Sequence, residues 1–159
     1  MIRFVTQWFG LDTLGEDELN ALREPVARAI MRATLYYEGR VKKKLTGART
    51  GRIYIIGGIT HQASAPGEPP ASFTGKLRQS ITHTDVMWDG DNAFAEVGSS
   101  EPQARILEFG GITSHGVRIL PRPYFSATWL EEEAKIQSIL DKAVSTKAVL
   151  GDIVPEVVE

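Results

Sequence analysis

Apolar residues recur at steps of three and four positions between residues 19 and 45, the spacing of one face of an α-helix. The residues on this stripe are Leu19, Leu22, Val26, Ile30, Ala33, Tyr37, Val41 and Leu45. Pro25 interrupts the stripe, and a proline is tolerated in the first turn of a helix but is costly further inside. The pattern therefore predicts a main helix over residues 25–45, ended by Gly47 and preceded by a lead-in or kinked helical segment over residues 16–22.

A second apolar pattern with helical spacing lies towards the C-terminus. Its members are Trp129, Leu130, Ala134, Ile136, Leu140, Ala143 and Val144. Ser126 precedes the pattern as a candidate N-cap, and the three glutamates at 131–133 lie where the helix dipole favours acids. Two shorter helices are predicted over residues 75–81, with Thr74 as N-cap, and over residues 102–109.

Short runs of β-branched and aromatic residues predict strands between the helices. They lie at residues 1–9, at 53–56 before a Gly-Gly pair, on both sides of the turn-forming tetrapeptide 89–92, and in extended form at 112–120. The sequence thus predicts an α+β fold, a mostly antiparallel sheet packed by a long N-terminal and a C-terminal helix. We expect one domain over residues 1–150 and a short acidic tail over 151–159.

The segment over residues 61–73 fits neither helix nor strand. It holds three prolines and one glycine and no aliphatic residue larger than alanine. Loops of this length without structure of their own are uncommon in compact domains and are usually functional or disordered. Proline limits the entropy lost on ordering, so this Pro-rich loop is either an arm that contacts a partner or an unstructured surface loop.

The composition excludes several classes of protein. Apolar residues make up 42% and charged residues 24%, which is typical of globular domains. The chain has no cysteine, which rules out disulfides, thiolate metal sites and a cysteine nucleophile. The first ten residues are too few and too polar for a signal peptide, and no apolar run reaches the roughly 20 residues of a membrane span. We expect a soluble protein of the cytoplasm.

Positive charge is concentrated in one block of the sequence. The formal net charge is −2, but residues 40–52 hold six positive side chains and no acid, which leaves a net charge of −8 on the rest. The block consists of Arg40, Lys42, Lys43, Lys44, Arg49 and Arg52. It could contact nucleic acid or an acidic protein surface, or it could be the solvated end of a helix, where lysine is favoured by the dipole.

No catalytic or metal-binding pattern is present in the sequence. The three histidines are far apart, and the chain lacks a nucleophile elbow, a zinc-protease motif, a phosphate-binding loop and a dinucleotide fingerprint. The acids at 89–92 lack the distal glutamate of a calcium loop. We therefore predict no enzyme, no cofactor and no metal, with an unrecognised hydrolase or nuclease as the remaining alternative of that class.

Four short patterns carry a resemblance to a known family. They are TGARTGRIY (46–54), HQASAPGEPPASFTGKLRQSI (61–81), EVGSSEPQARILEFGG (96–111) and LPRPYFSATW (120–129). In this order they resemble the neck or tail-component family of long-tailed bacteriophages, the gene-product-ten family of the HK-type lambdoid phages, over about residues 27–143. The chain departs from the family at Pro102 and Gln103, where related chains often carry an aromatic residue.

The resemblance implies a structural virion protein of the head–tail junction, assembled in the host cytoplasm. Such a protein would form a cyclic homo-oligomer, six copies being favoured over twelve, between a head-closure or adaptor protein and a tail terminator or tail-tube protein. Double-stranded DNA would pass through the ring. The alternative is a small nucleic-acid-binding module that acts through residues 40–52.

Candidate contact residues come from the basic block, the Pro-rich loop and two further motifs. They are Arg40, Lys43, Lys44, Arg49, Arg52, Pro66, Gly67, Glu68, Pro69, Pro70, Glu108 and Arg122. Arg122 lies between two prolines that keep its backbone extended. A guanidinium held in this way can form a bidentate pair with a carboxylate, and we predict Glu108 as its partner.

Overall fold

Four helices and eleven short strands make up the described part of the chain, and they confirm the α+β class. The computed structural model describes residues 2–6, 8–9, 15–90, 92–143, 149–150 and 155–157. The helices are α1 (Glu16–Lys44), α2 (Lys76–Gln79), α3 (Gln103–Phe109) and α4 (Phe125–Ala143). The strands are β1 (Ile2–Thr6), β2 (Trp8–Phe9), β3 (Ile53–Ile56), β4 (Ile59–Gln62), β5 (Ile81–His83), β6 (Met87–Asp89), β7 (Asn92–Ser99), β8 (Gly111–Ile112), β9 (Arg118–Ile119), β10 (Val149–Leu150) and β11 (Pro155–Val157).

The chain folds into two compact units, and each draws on separated stretches of sequence. Unit 1 consists of Met1–Glu38, His83–Gly98 and Glu132–Glu159, and unit 2 consists of Gly39–Thr82 and Ser99–Glu131. No single position in the sequence divides the two units. The single domain over residues 1–150 stays a prediction.

Unit 1 contains an antiparallel sheet in which β1 lies between β11 and β7, and β6 also pairs with β7. The pairing of Asp89 with Asn92 confirms the hairpin predicted at 89–92, although Asp91 lies outside the described residues. Strand β11 comes from the predicted acidic tail, so part of that tail pairs with the sheet. Residues 151–154 and 158–159 lie outside the described part of the chain.

The apolar stripe of α1 is buried, as its spacing predicts. Val26, Ile30, Ala33, Tyr37, Val41 and Leu45 are each at most 2% exposed. Helix α1 runs from Glu16 through Pro25 to Lys44, so residues 16–22 are the first segment of the same helix and not a separate lead-in helix. Proline removes one helical hydrogen bond, and the fully buried face of the helix begins at the next residue, Val26. Leu22 is half-buried, and the side chain of Leu19 lies outside the described residues.

Helix α4 buries a different set of side chains from the predicted one. Trp129, Ile136 and Leu140 are buried as expected, but Leu130 is 75% exposed and Ala134 is also exposed. Thr128 and Glu132 are buried instead, and the hydroxyl of Tyr36 donates to the Glu132 carboxylate at 2.5 Å. Val144 lies outside the described residues.

Candidate interaction site

The Pro-rich loop is held down by the carboxylate of Glu68. This carboxylate accepts hydrogen bonds from the Thr50 hydroxyl at 2.7 Å and from the N–H groups of Thr50 and Ala65 at 3.0 and 2.8 Å. These three bonds lower the pKa of Glu68 to about 2, the Thr50 hydroxyl contributing most. Glu68 N–H also donates to Ala65 O across Pro66 and Gly67, whose φ of 84° suits the third position of a type II turn.

Arg49 fastens the same loop at a second point. Its guanidinium donates to Lys44 O at 2.8 Å, at the end of α1, and to Pro70 O at 3.1 Å. It also donates to the carbonyls of Gly47 and Ala48 at 2.8 and 3.0 Å. Burial lowers the pKa of Arg49, an effect opposed by the charge of Glu68. Arg49, predicted as a surface contact, therefore connects the helix end to the loop.

Glu108 caps the N-terminus of α4. Its buried carboxylate accepts hydrogen bonds from the N–H groups of Tyr124, Phe125 and Ser126 at 2.8, 3.0 and 2.8 Å, and from the Ser126 hydroxyl at 2.6 Å. These are the orphan donors of a helix start, where the dipole favours a negative charge. Burial raises the pKa of the Tyr124 phenol, and the nearby Glu108 charge raises it further.

The predicted pair of Glu108 with Arg122 is wrong. Both oxygens of Glu108 are used by the helix start, so its carboxylate does not bind Arg122. The Arg122 main-chain N–H donates to Leu107 O at 2.8 Å, which fixes the residue beside α3. The Arg122 Nε–H is buried, and no described residue accepts a hydrogen bond from it. The guanidinium therefore lies in unit 2 without its expected counter-charge.

Arg122 lines a groove of about 270 Å³ on unit 2. The Pro-rich loop contributes one wall, including Ser64 and Pro70, and the start of α2 and the side of α3 contribute the others, including Leu77 and Leu107. Residues from the second, third and fourth motifs thus meet in one place, and Arg49 and Thr50 of the first motif hold the loop wall. Sequence reasoning found these motifs but not Ser64.

Strands β3 and β4 form a hairpin whose apolar side chains face solvent. Gly57 and Gly58, with φ of 57° and 80°, make its two-residue turn. The exposed side chains are Ile53 (60%), Tyr54 (44%), Ile55 (77%), Ile56 (49%) and Ile59 (62%). The sequence prediction included β3 and omitted β4, although a Gly-Gly pair between apolar runs is a hairpin signal.

The basic block is distributed over different environments. Lys44 Nζ donates to the Glu131 carboxylate at 2.6 Å, and Arg52 lies over the Tyr54 ring at 5.3 Å. Arg40 is half-buried on α1. Lys43 and Lys42 line a second groove, of about 470 Å³, together with Arg78 of α2, which sequence reasoning did not include. Two of the six basic residues of the block, Lys44 and Arg49, are thus engaged with other groups of unit 2.

The two units carry opposite net charges. Unit 2 holds eleven Lys and Arg residues against four Asp and Glu residues, a formal charge of +7. Unit 1 holds seven of the basic residues against sixteen of the acidic ones, a formal charge of −9. The sequence block at 40–52 thus forms part of a wider basic unit, to which Lys76, Arg78, Arg105 and Arg118 also belong.

Comparisons with known proteins do not assign the chain to a family. Within the described residues, no three His, Asp or Glu side chains are arranged to hold a metal ion. No helix in the described part of the chain is long and apolar enough to cross a membrane. No family model, no curated protein and no solved structure matches the sequence.

Proposed function

We propose that the chain is a structural virion protein of the head–tail junction of a long-tailed bacteriophage, which assembles there as a closed ring. The four motifs that carry the resemblance lie in unit 2, apart from the residues of the third that precede Ser99. Three of them line one groove, and the first holds its loop wall. This common location supports treating them as parts of one functional surface.

The exposed β3–β4 hairpin carries the proposal. Five large apolar side chains on eight strand residues face solvent. A two-stranded hairpin is at best marginally stable by itself, and contiguous exposed apolar patches mark interaction surfaces. A ring subunit needs such an element, because head-to-tail contacts join two different surfaces of successive copies.

The charge separation supports the same arrangement. A contact between the +7 unit of one copy and the −9 unit of the next is attractive, whereas a two-fold contact through two basic units is repulsive. Head-to-tail order brings opposite charges together at every contact. Such order closes into a ring when the rotation per subunit divides a full turn.

The ring would join a head-closure or adaptor protein to a tail terminator or tail-tube protein and let double-stranded DNA pass. The test is the copy number of the chain in purified phage particles, measured by quantitative mass spectrometry against the major capsid protein. We expect six copies, with twelve as the alternative. One or two copies, or absence from the particles, would refute the proposal.

A nucleic-acid-binding module is the second candidate, and the groove lined by Lys42, Lys43 and Arg78 favours it. Its contacts would be directed at phosphates and would weaken steeply with salt. A mobility shift of duplex DNA with the isolated chain separates the two functions. Submicromolar binding at physiological salt, weakened by Lys43→Glu with Arg78→Glu and retained in Lys135→Glu, would favour this module over the ring.

A further inference from the structure

We propose that the groove beside Arg122 binds a carboxylate side chain carried by an extended, otherwise apolar protein segment. The inference goes beyond the head–tail role, because it assigns a site and a ligand chemistry to the isolated chain. It rests on three features of the groove, namely an unpaired cation, an unpaired hydroxyl and an apolar wall.

The unpaired cation is the Arg122 guanidinium. Its Nε–H is buried, and the described residues offer it no acceptor. Arg122 as a whole is half-buried, so the cost falls on the Nε–H, which is an unsatisfied buried donor. The flanking prolines and the bond from Arg122 N–H to Leu107 O limit how far the backbone can move. An acceptor supplied from outside the chain removes this cost.

The unpaired hydroxyl belongs to Ser64, in the wall that the Pro-rich loop contributes. Ser64 is 4% exposed, and its Oγ has no partner among the described residues. The backbone before Ser64 is fixed by two hydrogen bonds of Ala63. Gly51 N–H donates to Ala63 O at 3.0 Å, and Ala63 N–H donates to Arg52 O at 2.9 Å. A carboxylate has two oxygens, so a single ligand group offers an acceptor to each of the two unpaired donors of the groove.

The other residues that line the groove determine what should surround the carboxylate in the ligand. Among the described lining residues, Phe73, Leu77 and Leu107 supply apolar surface, Lys76 and His61 supply further nitrogen groups, and none is Asp or Glu. This lining suits a negative group on an apolar body and disfavours a free polyanion. A nucleic-acid strand would leave the apolar wall exposed, so a protein segment with one carboxylate is the better match.

The test is a titration of the isotopically labelled chain with an end-capped peptide, acetyl-Ala-Val-Glu-Val-Ala-amide, followed by NMR. We expect saturable shifts of the Ser64 and Leu77 amides. The twin peptide with Gln in place of Glu should bind at least about tenfold more weakly, because the negative charge is lost and an NH₂ donor replaces one of the two acceptor oxygens. Equal binding of the two peptides would overturn the proposal, as would larger shifts of the same amides by a single-stranded DNA oligomer.

Variants test the assigned residues. Arg122→Gln should weaken the Glu peptide by about tenfold or more and remove the preference for Glu over Gln. Arg122→Lys and Ser64→Ala, which preserve the charge or most of the shape, should weaken it less. Arg118→Gln is the matched control, an exposed arginine of the same unit outside the groove lining, and should bind as the parent does. Unchanged binding by Arg122→Gln, or by both milder variants, would overturn the assignment.

The groove and the ring are tested independently, because peptide binding is measured on the isolated chain. A failure to bind the peptide leaves the ring proposal standing, and absence of the chain from particles leaves the groove proposal standing.

Discussion

One carboxylate oxygen of Glu108 accepts both the backbone N–H and the hydroxyl of Ser126, at 2.8 and 2.6 Å. The other oxygen accepts the N–H groups of Tyr124 and Phe125. The C-terminal part of α3 is thereby joined to the first turn of α4 by four hydrogen bonds to one buried, charged acceptor. Such bonds are stronger than neutral ones and are costly to leave unmade.

Glu108→Gln should destabilise the chain by about 2–4 kcal/mol, because the amide NH₂ group places a donor where backbone donors already point. The measurement is urea unfolding followed by circular dichroism. Glu133→Gln, an exposed change on α4 itself, is the control and should stay within about 0.5 kcal/mol of the parent. Equal midpoints for the two variants would contradict the capping role.

Gly51→Ala should destabilise the chain, because an added Cβ would lie 2.6 Å from Ala63 O and 2.7 Å from Ser64 C. These atoms belong to the backbone and cannot move aside cheaply, and overpacking of this kind costs about 1–3 kcal/mol. Gly39→Ala is the paired control, since no atom of the described residues lies within 4 Å of its added Cβ. That change should stabilise α1 by roughly 0.5–1 kcal/mol. The two unfolding temperatures, measured by a thermal scan, should shift in opposite directions. A shift of both in the same direction would contradict the prediction.

The loop contact of Glu68 should be lost on acidification. Its pKa is lowered from 4.5 to about 2 by hydrogen bonds in the folded chain, so the folded state favours the ionised form. The stabilisation is therefore present above about pH 4.5 and disappears as the pH falls through about 2. Carboxyl-carbon NMR of Glu68 measures this directly, with a midpoint near 2 expected and a midpoint near 4.5 contradicting it. Thr50→Val, which removes the hydroxyl donor, should raise the midpoint.

Ile55→Lys should prevent incorporation into particles without weakening the fold. The Ile55 side chain is 77% exposed, so its replacement removes little intramolecular packing. The free energy of unfolding should therefore change by less than about 0.5 kcal/mol. A lysine on the hairpin would block an apolar contact with a neighbouring subunit. Leu130→Lys, at a similarly exposed position on α4, is the matched control. Normal particle content of the Ile55 variant, measured by immunoblot, would exclude the hairpin as a subunit contact.

The sequence pattern predicted those structural features that depend on residues close to one another in the sequence. The 3.6-residue period of α1 identified its buried face, and the tetrapeptide at 89–92 identified the β6–β7 hairpin, because in both cases the interacting positions are close in sequence. The same reasoning placed Leu130 on the buried side of α4. Leu130 and Trp129 are adjacent, and only the packing around the helix decides which of the two points inwards.

The candidate site could be predicted in part only. The motifs indicated which stretches matter, but the role of Glu108 depends on backbone donors 16 to 18 positions away. A carboxylate and a guanidinium in one motif set suggested an ion pair, and the unpaired start of α4 is a stronger competitor for the carboxylate. The same limit applies to Ser64, whose neighbours in sequence give no sign that its hydroxyl is buried.

Arg49 binds the Pro-rich loop through carbonyl oxygens, which carry no titratable proton, and its guanidinium remains charged at any ordinary pH. The attachment at Pro70 is therefore acid-stable, whereas the attachment at Glu68, two residues earlier, is acid-labile. Ala63, before the loop contact of Glu68, is also held without a titratable group, by backbone hydrogen bonds with Gly51 and Arg52. At low pH the loop should therefore loosen only between Ala63 and Pro70, as a short bridge with two fixed ends.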